Sequence, residues 1–247
     1  MPVDPVLSVR GLSKRFEGLR ALAGIDFDVA SGEIFGVIGP NGAGKTTLFS
    51  CLVGAVAPTT GTIRFRGERI DGLSNHEIVG RGLVRTHQIV RPFKEMTVEE
   101  NVSIGEYFGS GSRRRADPER RVAEILELTS LSRRADVLAG TLTIGELKRL
   151  EIARALATEP EVLCLDEIMG GLNPAEIVAA MSLVRSVRES GVTVLMIEHH
   201  VHAVLGVSDR IMVLNFGERI AEGTPSEVMR HPEVVKAYLG EEIVESA

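Results

Sequence analysis

The sequence predicts an α/β fold built on a parallel sheet, with a β-rich N-terminal layer and a helical insertion. Three observations predict it. The apolar run Ile34–Ile38 leads directly into GPNGAGKTT, Gly39 to Thr47, in the order strand, glycine loop, helix. A second apolar run, Val162-Leu163-Cys164-Leu165, ends in two acids, Asp166 and Glu167, as a buried parallel strand does where it opens on a site. Between them, from about Leu83 to Gly140, the composition changes and Val122, Ile125 and Leu126 give one apolar helical face.

Gly39, Gly44, Lys45 and Thr46 satisfy G-x-x-x-x-G-K-[ST]. Such a loop, here with Pro40, Asn41, Gly42 and Ala43 between its glycines, curls so that successive backbone N–H groups point at a polyphosphate, and the following helix adds its positive dipole end. Lys45 then reaches the β- and γ-phosphates, the Thr46 hydroxyl ligates Mg²⁺, and Thr47 lies near the α-phosphate. At the second strand end Asp166 can hold Mg²⁺ through water. Glu167, one residue further out, can take a proton from the water that attacks the γ-phosphate.

Composition bounds the rest. The 247 residues are 44% hydrophobic and 25% charged, enough to bury a sizeable core in one large domain. No run approaches the ~18 apolar residues of a membrane span, and MPVDPVLSVR lacks the layout of a signal peptide, so a cytosolic protein is expected. A net charge of −6 gives no general reason to bind nucleic acid. The basic run Ser112–Arg121 lacks interleaved aromatics and reads as a solvated loop and helix entrance, with Asp117 as cap and Pro118 at the first helical position. Cys51 and Cys164 have no metal or redox spacing and read as small buried hydrophobes.

In chain order, Val6–Arg10 and Ile25–Val29 have strand spacing, with Phe16 between them as ordinary packing or as a ring for adenine. The helix from Lys45 buries Leu48 and Leu52 and stops near Gly54, and Thr62–Arg66 forms a short strand. Gln88 follows a strand at Val84, and Thr97–Glu100 starts a helix. Asn173-Pro174-Ala175-Glu176 opens a helix that turns Ile177, Met181 and Val184 inward, followed by a strand over Val192–Ile197 that delivers His199 to the phosphate edge. His200 and His202 show no metal spacing. Ile211–Phe216 and Arg219–Ala221 are strands, and Thr224–Glu227 caps a terminal helix ending at Ala237-Tyr238-Leu239-Gly240.

From Leu7 to Leu239 the chain resembles the nucleotide-binding subunits of ATP-binding-cassette transporters, with its motifs in the family's order. The resemblance implies a P-loop NTPase (RecA-like) core with an N-terminal antiparallel β layer. It implies a single domain over 6–240, an α-helical subdomain at about 88–157 inserted between core segments 6–87 and 158–240, and a tail at 241–247. Phe16 falls at the adenine-stacking aromatic, Gly39–Thr47 at the Walker A loop, and Gln88 at the glutamine that contacts Mg²⁺ and the membrane partner. Thr143, Gly145 and Glu146 fall in the signature loop, which acts on the nucleotide of a second subunit. Asp166 and Glu167 match the Walker B pair and His199 the switch histidine. ATP and Mg²⁺, transmembrane permease subunits, a second ATPase subunit (itself or a paralogue), an indirectly acting substrate-binding protein and a place at the inner face of the cell membrane are implied with them, and no nucleic acid.

Three positions depart from the family pattern: Ile144 for glycine and Glu146 for glutamine in the signature loop, and Ile168 for the proline after Glu167. A carboxylate ~4 Å from the γ-phosphate costs about 4 kcal/mol at an effective dielectric of 20, so Glu146 is expected to point elsewhere, with Lys148 and Arg149 moderating its charge. VRTHQIVRPFKEMTVEENV, GGLNPAE, IEHH and HPEVVKAYLGEE resemble branched-chain amino acid importers, and the ATPase of the lipopolysaccharide exporter shares much of this. A soluble cassette scaffold of the iron–sulfur assembly kind and a non-hydrolysing ATP-gated switch are the readings from other classes.

Overall fold

A computed structural model describes residues 4–86, 92–108 and 117–237. Leu7–Phe16 (β1) and Leu19–Val29 (β2) bury Leu7, Val9, Leu12, Leu22, Ile25 and Phe27, the alternation of a half-buried sheet. Ile34–Ile38 (β3) is buried at every position, as a central parallel strand must be. It delivers the glycine loop to Lys45–Leu52 (α1), which buries Leu48 and Leu52 as expected. Thr60–Phe65 (β4), Glu68–Arg69 (β5), Asn75–Val79 (α2) and Leu83–Arg85 (β6) follow.

The next elements are helical: Val98–Phe108 (α3), Pro118–Leu128 (α4) and Ile144–Ala157 (α5). Asp117 caps α4 through the Arg120 amide with Pro118 in the first turn, as its sequence indicates. The chain then returns to the sheet with Val162–Asp166 (β7), Pro174–Glu189 (α6), Thr193–Ile197 (β8), Val201–Val207 (α7), Arg210–Asn215 (β9), Glu218–Gly223 (β10) and Pro225–Val228 (α8).

Two sheets result. The first is antiparallel, in the order β2-β1-β4-β5, and the second runs β10-β9-β3-β8-β7-β6. In the second, β3 is parallel to β8 and β9, and β7 is parallel to β8 and β6, with β10 antiparallel at one edge. The phosphate-loop strand β3 and the acidic strand β7 are therefore separated by β8 alone, and all three open at the same edge. Side chains of β3 divide between two cores: Phe35 and Val37 pack with the N-terminal sheet and α1, Ile34 and Ile38 with the helices. Phe27 and Phe35 stack with centroids 5.5 Å apart, tying one sheet to the other.

β1 and β2 run past the expected Val6–Arg10 and Ile25–Val29, which puts Phe16 at the end of β1, and the terminal helix differs from expectation as well. The helix capped at Thr224 stops at Val228, the chain turns, and helical structure resumes over 232–237. Pro232 explains the break, because a residue before proline is pushed out of the α region and His231 holds that place. Tyr238 to Gly240 lie outside the described residues, as do Gln88 and the basic run as far as Ala116.

Candidate functional site

The loop between β3 and α1 is shaped by two glycines that no other residue could replace. A Cβ on Gly39 would lie 2.1 Å from the Leu214 carbonyl oxygen, and one on Gly44, at φ 101°, would lie 2.5 Å from that of Ala21. Lys45 is buried, its Nζ donating to the carbonyls of Gly39 at 2.5 Å and Pro40 at 3.0 Å, so the ammonium spans the loop. Residues Asn41 to Thr47 line a cavity of about 480 Å³ together with Phe16, Glu167 and His199. Phe16 is half-exposed, with the Lys14 ammonium 4.8 Å from its ring centroid.

Asp166 ends β7 fully buried, while Glu167, one residue on, takes φ 50°, a left-handed conformation rare for a glutamate. Contacts on every side hold it there: its N–H donates to Ile197 O (3.0 Å), its carbonyl accepts from Lys148 Nζ (3.1 Å) and from the Gly170 N–H (3.4 Å), and its Oε1 is 2.7 Å from His199 Nε2. Glu167 and His199, 32 positions apart, thus meet because β7 and β8 are neighbours in register, Asp166 opposite Ile197. Behind them the buried Glu198 accepts from the Met169 N–H at 2.8 Å. Burial pushes its carboxyl up to about 7, with the Glu167 charge adding to the rise.

Asp166 is paired to Arg85 through Oδ2, whereas its Oδ1 is buried with no hydrogen-bond partner. Arg85 also donates to Ser50 Oγ of α1 (3.1 Å), and Ser50 Oγ donates to Thr46 O (2.7 Å).

Thr143, Gly145 and Glu146 do not join this cluster. They form the start of α5, where Thr143 is the cap: its hydroxyl accepts from the Glu146 N–H and the Glu146 carboxylate accepts from the Thr143 N–H at 2.9 Å. Gly145 packs on the Glu176 carboxylate of α6 and faces a separate groove of about 270 Å³. Glu146 does turn inward to its own helix, but its cationic partner is Arg134, at 2.7 Å. The expected Lys148 and Arg149 are used elsewhere, on Glu167 O and on Gly145 O. The Thr143 backbone N–H, then Arg134, hold the Glu146 carboxyl below its ordinary value. Ile168, in place of proline, is buried in the helical-side core.

Sequence reasoning missed Arg85, Arg134, Glu198 and Phe216. Arg85 ends β6 and Glu198 directly follows β8, so a charged residue at the end of a buried strand was the available signal. Arg134 lies in a short 3₁₀ turn, Ser132–Arg134, twelve positions from its partner, with no local pattern.

A glycine loop between a parallel strand and a helix, with strand-end acids one strand away, defines an α/β nucleotide-binding ATPase. Residues 22–170 match the ABC transporter family, and 218–244 match the family described as branched-chain amino acid ATP-binding cassette transporter. Over 96% of its length the chain is 45% identical to the high-affinity branched-chain amino acid transport ATP-binding protein BraF of Pseudomonas aeruginosa, covering 98% of that protein. It is 43% identical to its counterpart LivG of Escherichia coli, covering 99% of it over 96% of this chain. The lipopolysaccharide export system ATP-binding protein LptB of Escherichia coli is 34% identical over 96% of this chain and 98% of its own. The crystal structure of the ADP conformation of MJ1267, an ATP-binding cassette of an ABC transporter, superposes with a TM-score of 0.87 at 33% identity, over 96% of this chain and 99% of that one. The chain belongs to the ABC transporter family, as one of its ATP-hydrolysing cassettes. Among the described residues no helix is long and apolar enough to cross a membrane.

Proposed function

We propose that this chain powers the import of branched-chain or related amino acids, as one of two ATPase subunits that dimerise around two ATP and drive separate permease subunits. The observation that carries the cargo is the 43–45% identity to two branched-chain amino acid transport ATP-binding proteins, against 34% to the lipopolysaccharide export protein. In this reading the chain sits at the inner face of the membrane through the permease, and a substrate-binding protein acts only indirectly.

The site supports the chemistry. The glycine cradle leaves room at Gly39 and Gly44 for backbone alone, which suits a polyphosphate. The unpartnered Asp166 Oδ1 and the Thr46 hydroxyl lining the cavity are hard oxygen donors of the kind Mg²⁺ takes, and Gln88 would supply a third. When bound, the cation neutralises charge on the β- and γ-phosphate oxygens. Lys45 exchanges its carbonyl partners for phosphate. Glu167 takes the proton of the attacking water, and His199, already on its carboxylate, orients it and carries a hydrogen bond toward the γ-phosphate. The Thr143-Gly145-Glu146 loop, remote from its own chain's cavity, closes the nucleotide of the other subunit with the N-terminus of α5.

Glu167→Gln should keep ATP binding and lower turnover by ~10²-fold or more. Turnover near wild type would remove Glu167 from the role. For the cargo, cells lacking this chain should lose high-affinity leucine uptake, recovered with wild type but not with the glutamine variant, and unchanged uptake in the deletion would overturn it.

A further inference from the structure

Nine large apolar side chains are exposed among the described residues, and three of them, Phe16, Leu19 and Phe216, rim the cavity of about 480 Å³ that the phosphate loop lines. Phe216 is the most exposed of all, at 84%. It sits at the tip of the β9–β10 turn with φ 46°, a conformation that glycine or asparagine adopts readily and a phenylalanine rarely does. The turn is also fastened. The next residue, Gly217, donates its N–H to Ala43 O of the phosphate loop (3.0 Å) and accepts from Ala23 N–H of β2 (2.9 Å). Beside it Arg20 and Glu218 form an ion pair at 2.5 Å. The Phe216 backbone is thus fixed relative to both the loop that holds the phosphates and the strand next to Phe16. An aromatic ring kept in solvent, in an unfavourable backbone conformation and at a fixed place beside a ligand cavity, is a contact waiting for its ligand.

We infer that Phe216 is a second base-binding residue, which with Phe16 and Leu19 gives the cavity an apolar rim for the adenine ring and sets its preference for nucleotides over bare polyphosphate. The inference deepens the nucleotide reading and rests on it. Lys14 lies against Phe16, so that ring is already engaged by a cation, and a second apolar surface adds contact area that a flat heteroaromatic base can cover.

The test measures calorimetric binding of Mg·ADP and of Mg·tripolyphosphate, at concentrations where sedimentation shows the chain to be monomeric. The variants are Phe216→Asn, which suits the left-handed backbone, Phe216→Trp, and Phe16→Ala. Phe216→Asn should weaken ADP about three- to tenfold and leave tripolyphosphate unchanged, with Phe216→Trp close to wild type. ADP affinity unchanged in Phe216→Asn while Phe16→Ala weakens it would overturn the inference and leave the nucleotide site standing. So would an equal loss for ADP and tripolyphosphate, which would mean a disturbed phosphate loop. Failure of the wild type to bind ADP at all would overturn the nucleotide reading instead.

Discussion

Replacing Glu198 by glutamine should change stability in a pH-dependent way whose size follows from burial. Glu198 is 1% exposed at the end of β8, accepts from the Met169 N–H, and faces the Glu167 carboxylate and Lys148. Its carboxyl rises from an ordinary 4.5 to about 7 because desolvation penalises the ionised form. A folded-state value above the unfolded one means that the folded chain binds the proton more tightly. Its contribution is therefore fully present below 4.5 and lost as pH rises through about 7. At 1.36 kcal/mol per unit, ionising this side chain in the folded protein costs on the order of 2 to 3 kcal/mol between pH 5 and 8. Glutamine has no charge to desolvate. The stability difference, glutamine variant minus wild type, should become more favourable to the variant by about that amount from pH 5 to pH 8, and level off above. Urea unfolding of both proteins at intervals across this range measures it, and titrating groups remote from Glu198 cancel in the difference. A difference that stays flat, or that moves toward the wild type as pH rises, would refute the buried-neutral reading of Glu198.

Glu146→Gln should alter the ATPase rate only a few-fold, since the carboxylate is spent on the Thr143 cap and Arg134; a hundredfold rise, about 2.7 kcal/mol, would show it opposing the reaction. If each ATP is completed by two chains, Lys45→Ala and Gly145→Asp proteins, inactive alone, should regain ATPase on mixing, because both lesions fall on one shared site of the mixed dimer. No recovery despite cross-linked mixed dimers would mean obligatory coupling of two sites or hydrolysis within one chain. A tethered dimer with one site disabled separates these: inactive under coupling, about half-active under within-chain hydrolysis.

The parts legible in the sequence are those fixed by neighbours along the chain. The β3–loop–α1 unit, the cap at Asn173 and the acids ending β7 each carry their cause within a few residues. Ser74-Asn75-His76-Glu77 and Thr143-Ile144-Gly145-Glu146 also hold the box pattern, but one turn, as in α2, has too little apolar period to single it out from the sequence. Helix α7 gave no signal of its own: His200 at its cap makes no side-chain capping bond, and the helix exists through packing of Ala203, Val204 and Val207 on the sheet. Partners chosen across the fold were likewise hidden. Nothing local links Glu146 to Arg134, so sequence distance favoured Lys148 and Arg149, which the fold sends to backbone carbonyls instead.

The Arg85–Asp166 pair shows what such a cross-fold contact imposes on the chemistry. Asp166 has two oxygens, and Arg85 takes Oδ2 while its other contacts, Ser50 Oγ and the Phe49 ring with its centroid 5.8 Å from the guanidinium, bind it to α1. Thr86 Oγ1 accepts from the Asp166 N–H at 3.1 Å, so β6, β7 and the helix carrying Thr46 share one hydrogen-bonded unit. A cation taking both carboxylate oxygens would leave a guanidinium unpaired, with Arg85 and Asp166 13% and 1% exposed at the side chain, and breaking a buried pair in that way costs about 3 to 5 kcal/mol. An approach to Oδ1 alone keeps the pair intact and gives the buried oxygen the partner it lacks. Were Asp166 to hold Mg²⁺ as proposed, one oxygen, reached directly or through a bound water, would therefore be the favourable way, and it is Arg85 that would make it so.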